Sequence, residues 1–334
     1  MDKLIDFSQC TVNPLKWFDG ANGNKISISY NGKNYMLKFP THPKGDPLAN
    51  YTNSCVSEYL GCHILNSIGI PAQETLLGNY QGKRVVACGD LETNGFLLRS
   101  FATLKNAVIS SETTGYGTEL EEILTTIESQ TIMSPQKLLS FFWDTFVADT
   151  FLGNFDRHNG NWGFLVKEQT NEVNIAPLYD CGSCLYPQLP EAGMVEVMAN
   201  PEKVSERLFV FPNSAIKENG KKINYMDFLT STKNRDCLLA LQRIVPRIKM
   251  TNIHAIIDAT PSLTMTEKTF YKFMLQQRLE KILQPTFQRA QSLLNDKCID
   301  SIISNATSRA AEINAANNAS CRDAAAPEIG PEHN

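Results

Sequence analysis

The segment GNFDRHNGNWGF places a carboxylate, Asp156, five residues before an amide, Asn161, with Arg157, His158, Asn159 and Gly160 between them. A loop of that length can aim a carboxylate at a hydroxyl proton while the amide oxygen ligates a metal ion. A second carboxylate, Asp180, follows in IAPLYDCG. The apolar runs WGFLV (162–166) and VNIAPL (173–178), joined by polar KEQTNE, predict an antiparallel hairpin. A hairpin sets the start of one strand beside the end of the other, so Asn161 and Asp180 meet at one end. They form a pair of hard oxygen donors suited to Mg²⁺, which takes few protein ligands and completes its shell with phosphate oxygens. Asp, Asn and Gly also make ordinary tight turns, but a turn needs neither Arg157-His158 nor a distant Asp180. His158 admits two roles: orienting the loop through a backbone hydrogen bond, or proton transfer.

A second group of residues lies upstream, in FDGANGNKIS followed by YMLK. Gly20 and Gly23 stand just ahead of a strand, and Lys38 stands on the next one. Glycines let backbone N–H groups approach an anion closely, and a lysine on the neighbouring strand can reach the same anion as a point charge. Lys25 can add a second charge. Glu58, one position off the apolar stripe of a following helix, is placed to pair with Lys38; the bland reading is a solvated helix glutamate.

The elements that must position these residues follow from periodicity. Residues 24–39 predict a β-hairpin, with KISISY and NYMLKF alternating around Asn31-Gly32. A helix follows, with Val56, Tyr59, Leu60, His63, Ile64 and Ile68 at three-and-four spacing, stopped by Gly69. ETLLGNY, KRVVAC and FLLRSF complete a β-rich first lobe over 1–102. Helices are expected at GTELEEILTTIESQ, from Ser134-Pro135 to about 152, and over 225–244, 252–258 and 266–294, the last interrupted by Pro285. The fold class is therefore α+β, with a helical second lobe over 103–304. Residues 305–334 lose the apolar pattern and read as a mobile tail.

Composition limits the alternatives. The chain has 334 residues, 31 basic and 35 acidic for a formal charge of −4, and is 42% hydrophobic, which is ordinary globular arithmetic. With no Lys/Arg block, direct binding of nucleic acid through bulk phosphate attraction is not expected. The first residues, MDKLIDFSQC, lack the apolar core of a signal peptide, and no stretch matches a membrane span. Nine cysteines at scattered spacings fit a reducing, cytoplasmic setting. Cys181 and Cys184 have the spacing of a redox or zinc pair, yet lack two further ligands at similar spacing and read as small buried residues.

GANGNK, YMLKFP, SEYLGCHILNSIGIP, DRHNGN and IAPLYDCGS, in this order, resemble the HipA-like kinases and, within them, the cell-translocating kinase A group. The resemblance runs from about Asp6 to about Ala290. It implies a two-lobed protein-kinase-like fold, ATP with Mg²⁺, and transfer of the γ-phosphoryl group to Ser or Thr of a protein substrate. Residue by residue it implies a phosphate loop at Gly20, Ala21, Asn22, Gly23, Asn24 and Lys25, with Lys38 as the ATP lysine and Glu58 as its partner. It further implies Asp156 as the base, Asn161 and Asp180 as metal ligands, and backbone groups near Gly89 and Leu91 as the adenine contact. The chain starts close to the phosphate loop and is expected to lack the N-terminal β-subdomain of full-length HipA toxins. The Asp-Arg-His order resembles the loop of phosphoinositide kinases, so a lipid or small-molecule kinase stands as the second reading. A nucleotide-binding interaction protein without transfer is the third. Release or translocation into a host is compatible with the resemblance.

Overall fold

Alternation along the strands decides which side chains face which layer. In the computed structural model, which describes residues 4–18, 25–40, 53–109 and 115–296, the strands β1 (Ile5–Asp6), β2 (Thr11–Asn13), β3 (Lys25–Tyr30) and β4 (Lys33–Lys38) lead to helix α1 (Ser54–Ser67). After α1 come β5 (Thr75–Tyr80) and β6 (Lys83–Gly89). These form a six-stranded sheet in the order β1-β5-β6-β4-β3-β2. The β3–β4 turn carries Asn31 at φ 47° and Gly32 at φ 76°, the left-handed pair that a two-residue hairpin requires. Phe7, Ile28, Tyr35, Leu37, Val85 and Ala87 pack together on one face. Because Leu37 points into that cluster, Lys38 must point to the opposite face, where α1 lies across β5 and β6.

β7 (Leu97–Ser100) departs from expectation. It belongs to a second, three-stranded sheet with β8 (Gly163–Lys167) and β9 (Glu172–Ile175), in the order β7-β8-β9. Ser100 pairs with Gly163, and a Cβ on Gly163 would lie 2.2 Å from the Arg99 carbonyl oxygen. The missing side chain is what lets the two backbones meet there.

The helical part comprises α2 (Phe101–Val108), α3 (Leu120–Ser129), α4 (Pro135–Leu152), α5 (Glu191–Ala199), α6 (Pro201–Ser205), α7 (Tyr225–Ser231), α8 (Arg235–Ile244), α9 (Met250–Ala259) and α10 (Met265–Arg278). A short hairpin, β10 (Lys217–Glu218) with β11 (Lys221–Lys222), precedes α7. As expected, Ser134 caps α4 and Pro135 opens it. α4 is the central helix, touching α3, α8 and α10, and it buries Trp143, Phe146 and Phe151. The single helix expected over 225–244 is two, because Asn234 accepts from the amides of Asp236 and Cys237 and so starts a new one. α2, capped by Ser100, α5 and α6 were not legible as periodic segments. After α10 the helical path widens into a π turn at Leu279–Leu283 and runs on through 284–296. That turn holds Lys281, whose carbonyl the Pro285 ring would otherwise strike.

The described residues up to Phe287 form one compact unit, and those from Gln288 to 296 belong to a second. The tail expected at 305–334 lies outside the described residues. Among the described residues no helix is long and apolar enough to cross a membrane, and Cys10, Cys55, Cys62, Cys88, Cys181, Cys184 and Cys237 are free thiols.

The close β7–β8 approach yields a test. Gly163→Ala should destabilise the chain by about 1–3 kcal/mol through forced backbone displacement, read as a lower urea midpoint. An unchanged midpoint would show that this contact does not constrain the second sheet.

Candidate active site

Lys38 is the meeting point of three elements. Its Nζ donates to Glu58 Oε2 on α1 and to Asp180 Oδ1 beyond β9, both at 3.0 Å. The side chains of Lys38 and Glu58 are 13% and 2% exposed, whereas that of Asp180 is 46% exposed. Glu58 is therefore an anchor, not a solvated helix residue, and Asp180 is the member open to a ligand. The second oxygen of Glu58 accepts from the Cys181 amide at 3.0 Å. That reach depends on Gly61, one turn along α1, where a Cβ would lie 2.9 Å from Cys181 Cβ.

The charges follow this geometry. Lys38 beside Asp180 holds the Asp180 carboxyl down at about 2, against burial. Burial opposes the Lys38 ammonium, but Asp180 and Glu58 together raise it well above the ordinary lysine range. Burial lifts the Glu58 carboxyl, against the pull of Lys38. Lys25 pairs directly across from Lys38 in the β3–β4 ladder; burial and then repulsion from Lys38 push its ammonium down. Asp180 itself sits at φ 56°, a left-handed backbone that non-glycine residues adopt at a cost and that clusters at functional sites.

The 156–161 loop is held from below by α4. Gly153 ends α4 at φ 64°, and Asn154 turns the chain: its Nδ2 donates to Asp149 Oδ1 at 2.9 Å and its Oδ1 accepts from the Asp156 amide at 3.0 Å. Arg157 points inward. Its Nε donates to Asp149 Oδ2 at 3.1 Å, and Nη1 donates to the carbonyls of Asn161 at 2.8 Å and Tyr179 at 2.5 Å. Nη2 lies 3.4 Å from Cys181 Sγ. One buried guanidinium thus fastens the loop, α4 and the Asp180 segment together. Burial raises the Asp149 carboxyl, and Arg157 pulls it back.

The buried Asn161 closes the loop, its Nδ2 donating to the Asp156 carbonyl at 2.8 Å. The hairpin expected from the sequence forms, and Tyr179 Oη donates to the Gly160 carbonyl at 3.0 Å, so Asn161 and Asp180 come to the same end. An amide oxygen and a half-exposed carboxylate are hard donors, and that donor set fits Mg²⁺ with phosphate oxygens completing its shell. Asp156 is partly exposed, its carboxyl raised chiefly by burial, opposed by His158 and raised further by Asp180. His158 Nδ1 accepts from the Gly160 amide at 3.0 Å, which shapes the loop.

Of the other expected residues, one group is held by its own backbone bonds and the other lies outside the described residues. Gly89 closes β6, with its amide on the Glu74 carbonyl at 2.8 Å and its carbonyl accepting from Gln73 Nε2 at 2.7 Å. The Leu91 carbonyl accepts from the Thr93 amide at 3.1 Å. Gly20, Ala21, Asn22, Gly23 and Asn24 lie outside the described residues; Lys25, which follows them, is placed as above. Sequence reasoning overlooked Asp149, Asn154, Tyr179 and the Cys181 amide as parts of the site. The available signal was Asp149 itself, a carboxylate in an otherwise greasy helix four residues before Gly153.

Two measurements test this geometry. Asp149→Ala leaves a buried guanidinium without its carboxylate and should cost about 3–5 kcal/mol in unfolding free energy; a cost near zero would mean that water or a neighbour replaces Asp149. Because the folded carboxyl of Asp180 lies below the ~3.9 of an unfolded Asp, the stability it contributes is present above about pH 4. It is lost as pH falls through about 2. Lys38→Met should move the Asp180 midpoint upward in a carboxyl-carbon NMR titration, and an unmoved midpoint would contradict the ion pair.

Comparison with known proteins identifies the family. A family model, the HipA-like C-terminal domain, matches residues 19–250. The chain is 51% identical over 290 residues, 86% of its length and 89% of the other protein, to the serine/threonine-protein kinase CtkA of Helicobacter pylori (strain J99 / ATCC 700824). The crystal structure of a Helicobacter pylori proinflammatory kinase CtkA aligns with a TM-score of 0.81 at 51% identity, covering 86% of this chain and 99% of that one. The α+β arrangement of β-rich and helical parts is accordingly the protein-kinase-like fold. With the Lys38–Glu58–Asp180 cluster and the 156–161 loop inside the matched span, the chain belongs to the family of the HipA-like C-terminal domain.

Proposed function

We propose that this chain is an ATP- and Mg²⁺-dependent serine/threonine protein kinase, with autophosphorylation among its reactions. The observation that carries the reading is Lys38 held between Glu58 and Asp180, with Asp156 and Asn161 at the same end of the β8–β9 hairpin. The 51% identity to a serine/threonine-protein kinase supports the class. In this reading 1–102 and 103–304 are the two lobes, although β7 joins the sheet of the second.

Asn161 and Asp180 would hold Mg²⁺, which would supply positive charge against the phosphate oxygens of ATP, the donor of the γ-phosphoryl group. The protein's own contribution is positioning. Glu58 fixes the Lys38 ammonium in one place, so its charge meets the phosphates without reorganisation. Asp156, whose carboxyl is raised chiefly by burial, accepts the proton of the acceptor hydroxyl. Its loop stays in place because Arg157 is locked to Asp149. His158 orients the loop through Gly160. Gly20–Asn24 and the backbone near Gly89 and Leu91 are assigned to phosphate and adenine on the family resemblance.

Asp156→Asn keeps size and most hydrogen bonds but loses the proton acceptor, so transfer to a protein acceptor should fall by roughly 10²–10⁴ while ATP still binds. Full activity in a folded variant would refute the base. Lys38→Met and Glu58→Gln should each slow transfer, and the double variant should be little worse than Lys38→Met alone if the two act as a unit. Losses that multiply would separate them. Calorimetry with MgATP and with free ATP should show Asp180→Ala losing the Mg²⁺-dependent part of binding.

A further inference from the structure

Two segments that take no part in holding phosphate border Asp156. Residues 115–117 lie against the loop: Asn159 Nδ2 donates to the carbonyls of Gly115 at 3.0 Å and Gly117 at 2.7 Å, and the buried Lys105 Nζ donates to Gly117 at 2.6 Å. This backbone fastening sets Tyr116 over the loop. A Cβ on Gly160 would lie 3.1 Å from Tyr116 Cε1, and the Tyr116 ring sits edge-on to His158 with centroids 6.4 Å apart. Tyr116 is nonetheless 60% exposed. A large ring held by the backbone of its two neighbours and left open beside the catalytic loop is a platform for something that docks there.

The β10–β11 hairpin is fastened to the same segment. The Lys217 amide donates to the Thr118 carbonyl at 2.8 Å, Thr118 Oγ1 donates to the Ala215 carbonyl at 2.8 Å, and the Gly220 amide donates to Glu119 Oε1 at 3.1 Å. The register sets Lys217 opposite Lys222 and Glu218 opposite Lys221. Residues directly opposite share a face and neighbours alternate, so Lys217 and Lys222 stand on one face and Glu218 and Lys221 on the other. Glu218 lines a groove with Glu121 and Glu128, so its face meets other acidic side chains. The Lys222 charge does reach Asp156, where it pulls the carboxyl down against burial. The hairpin is thus joined through Thr118 to the segment that Asn159 holds against the loop, with the Lys222 charge within reach of the reacting carboxylate. Like charges directly opposite in a hairpin are unfavourable, and an anion lying between them would relieve that repulsion.

We propose that Tyr116 and the Lys217/Lys222 face of the β10–β11 hairpin form the acceptor-recognition surface, selecting protein segments whose Ser or Thr is flanked by acidic residues. This rests on the protein-kinase reading and adds to it the charge of the acceptor. Tyr116 carries the backbone and apolar part of the segment, and Lys222 is the specificity-determining cation.

The test uses three synthetic serine peptides that differ only in having Asp, Ala or Lys beside the acceptor, with the full chain, Lys222→Ala, Lys222→Glu and Tyr116→Ala. Unmodified protein should prefer the Asp peptide. Lys222→Ala should raise KM for that peptide by about fivefold, the upper range for one exposed charge pair, with kcat little changed. Lys222→Glu should turn the preference toward the Lys peptide, and Tyr116→Ala should lower kcat/KM for all three alike. Thermal melts establish that each variant is folded. An equal fall in kcat for every peptide in Lys222→Ala would place the lysine on the transferring phosphate and overturn the proposal. Equal kcat/KM for all three peptides with unmodified protein overturns it too, while leaving the protein-kinase reading intact. ATP hydrolysis without transfer to any peptide removes that reading and this surface with it.

Discussion

A buried guanidinium is the constraint on which the site depends. Arg157 is 5% exposed, and taking such a charge out of water costs several kcal/mol unless every direction of its fork finds an acceptor. Here the acceptors come from three places: Asp149 on α4, the Asn161 carbonyl in the loop, and the Tyr179 carbonyl before Asp180. The chain cannot satisfy Arg157 without bringing those three segments together. The same requirement that keeps the interior neutral therefore also brings the loop carboxylate and the Asp180 segment into one register. Arg is suited to this in a way Lys is not, since its planar fork can hold a carboxylate and two carbonyls at once.

Lys38 performs the matching task between the sheet and the helical part. Strand alternation turns it away from the Leu37 cluster and toward α1, where Glu58 is buried and already holds the Cys181 amide. The ammonium thus bridges β4, α1 and the segment that follows β9. Its two partners are unequal: Glu58 is sealed in, and Asp180 remains partly open. A buried anchor and an exposed partner are what a cation needs if it is to keep its position while a charged ligand comes and goes.

Charge is also sorted on the outside of the site. The bulk charge of −4 says nothing of local fields, yet the β10–β11 register divides four ionised residues into a lysine face and a mixed face. The orientation of that hairpin follows from its attachment at Thr118 and Glu119, next to the Gly117 carbonyl that Asn159 and Lys105 share. Recognition outside the nucleotide site would in this way be carried by backbone bonds to the loop itself.

Local patterns were sufficient for much of this protein. The β3–β4 hairpin, α1 and its stop at Gly69, the Ser134-Pro135 start of α4 and the β8–β9 hairpin are all written in turn chemistry and periodicity, which act over a few residues. The convergence of Asn161 and Asp180 was legible for the same reason, because a hairpin's ends are neighbours by construction. Other features depend on contacts distant in sequence. β7 reads as a strand like its predecessors, and its pairing with β8, where the side-chain-free Gly163 stands opposite Ser100, sets it in the second sheet. Nothing local separates a solvated Glu58 from a buried one; Gly61 and the Cys181 amide, 123 residues from Glu58, decide it. Arg157 could equally have faced solvent until Asp149 and two carbonyls closed around it. The sequence by itself determined which residues could do the chemistry and the short elements that carry them. Tertiary structure alone decided which of their charges are buried, because desolvation and long-range pairing exist only once distant segments have packed together.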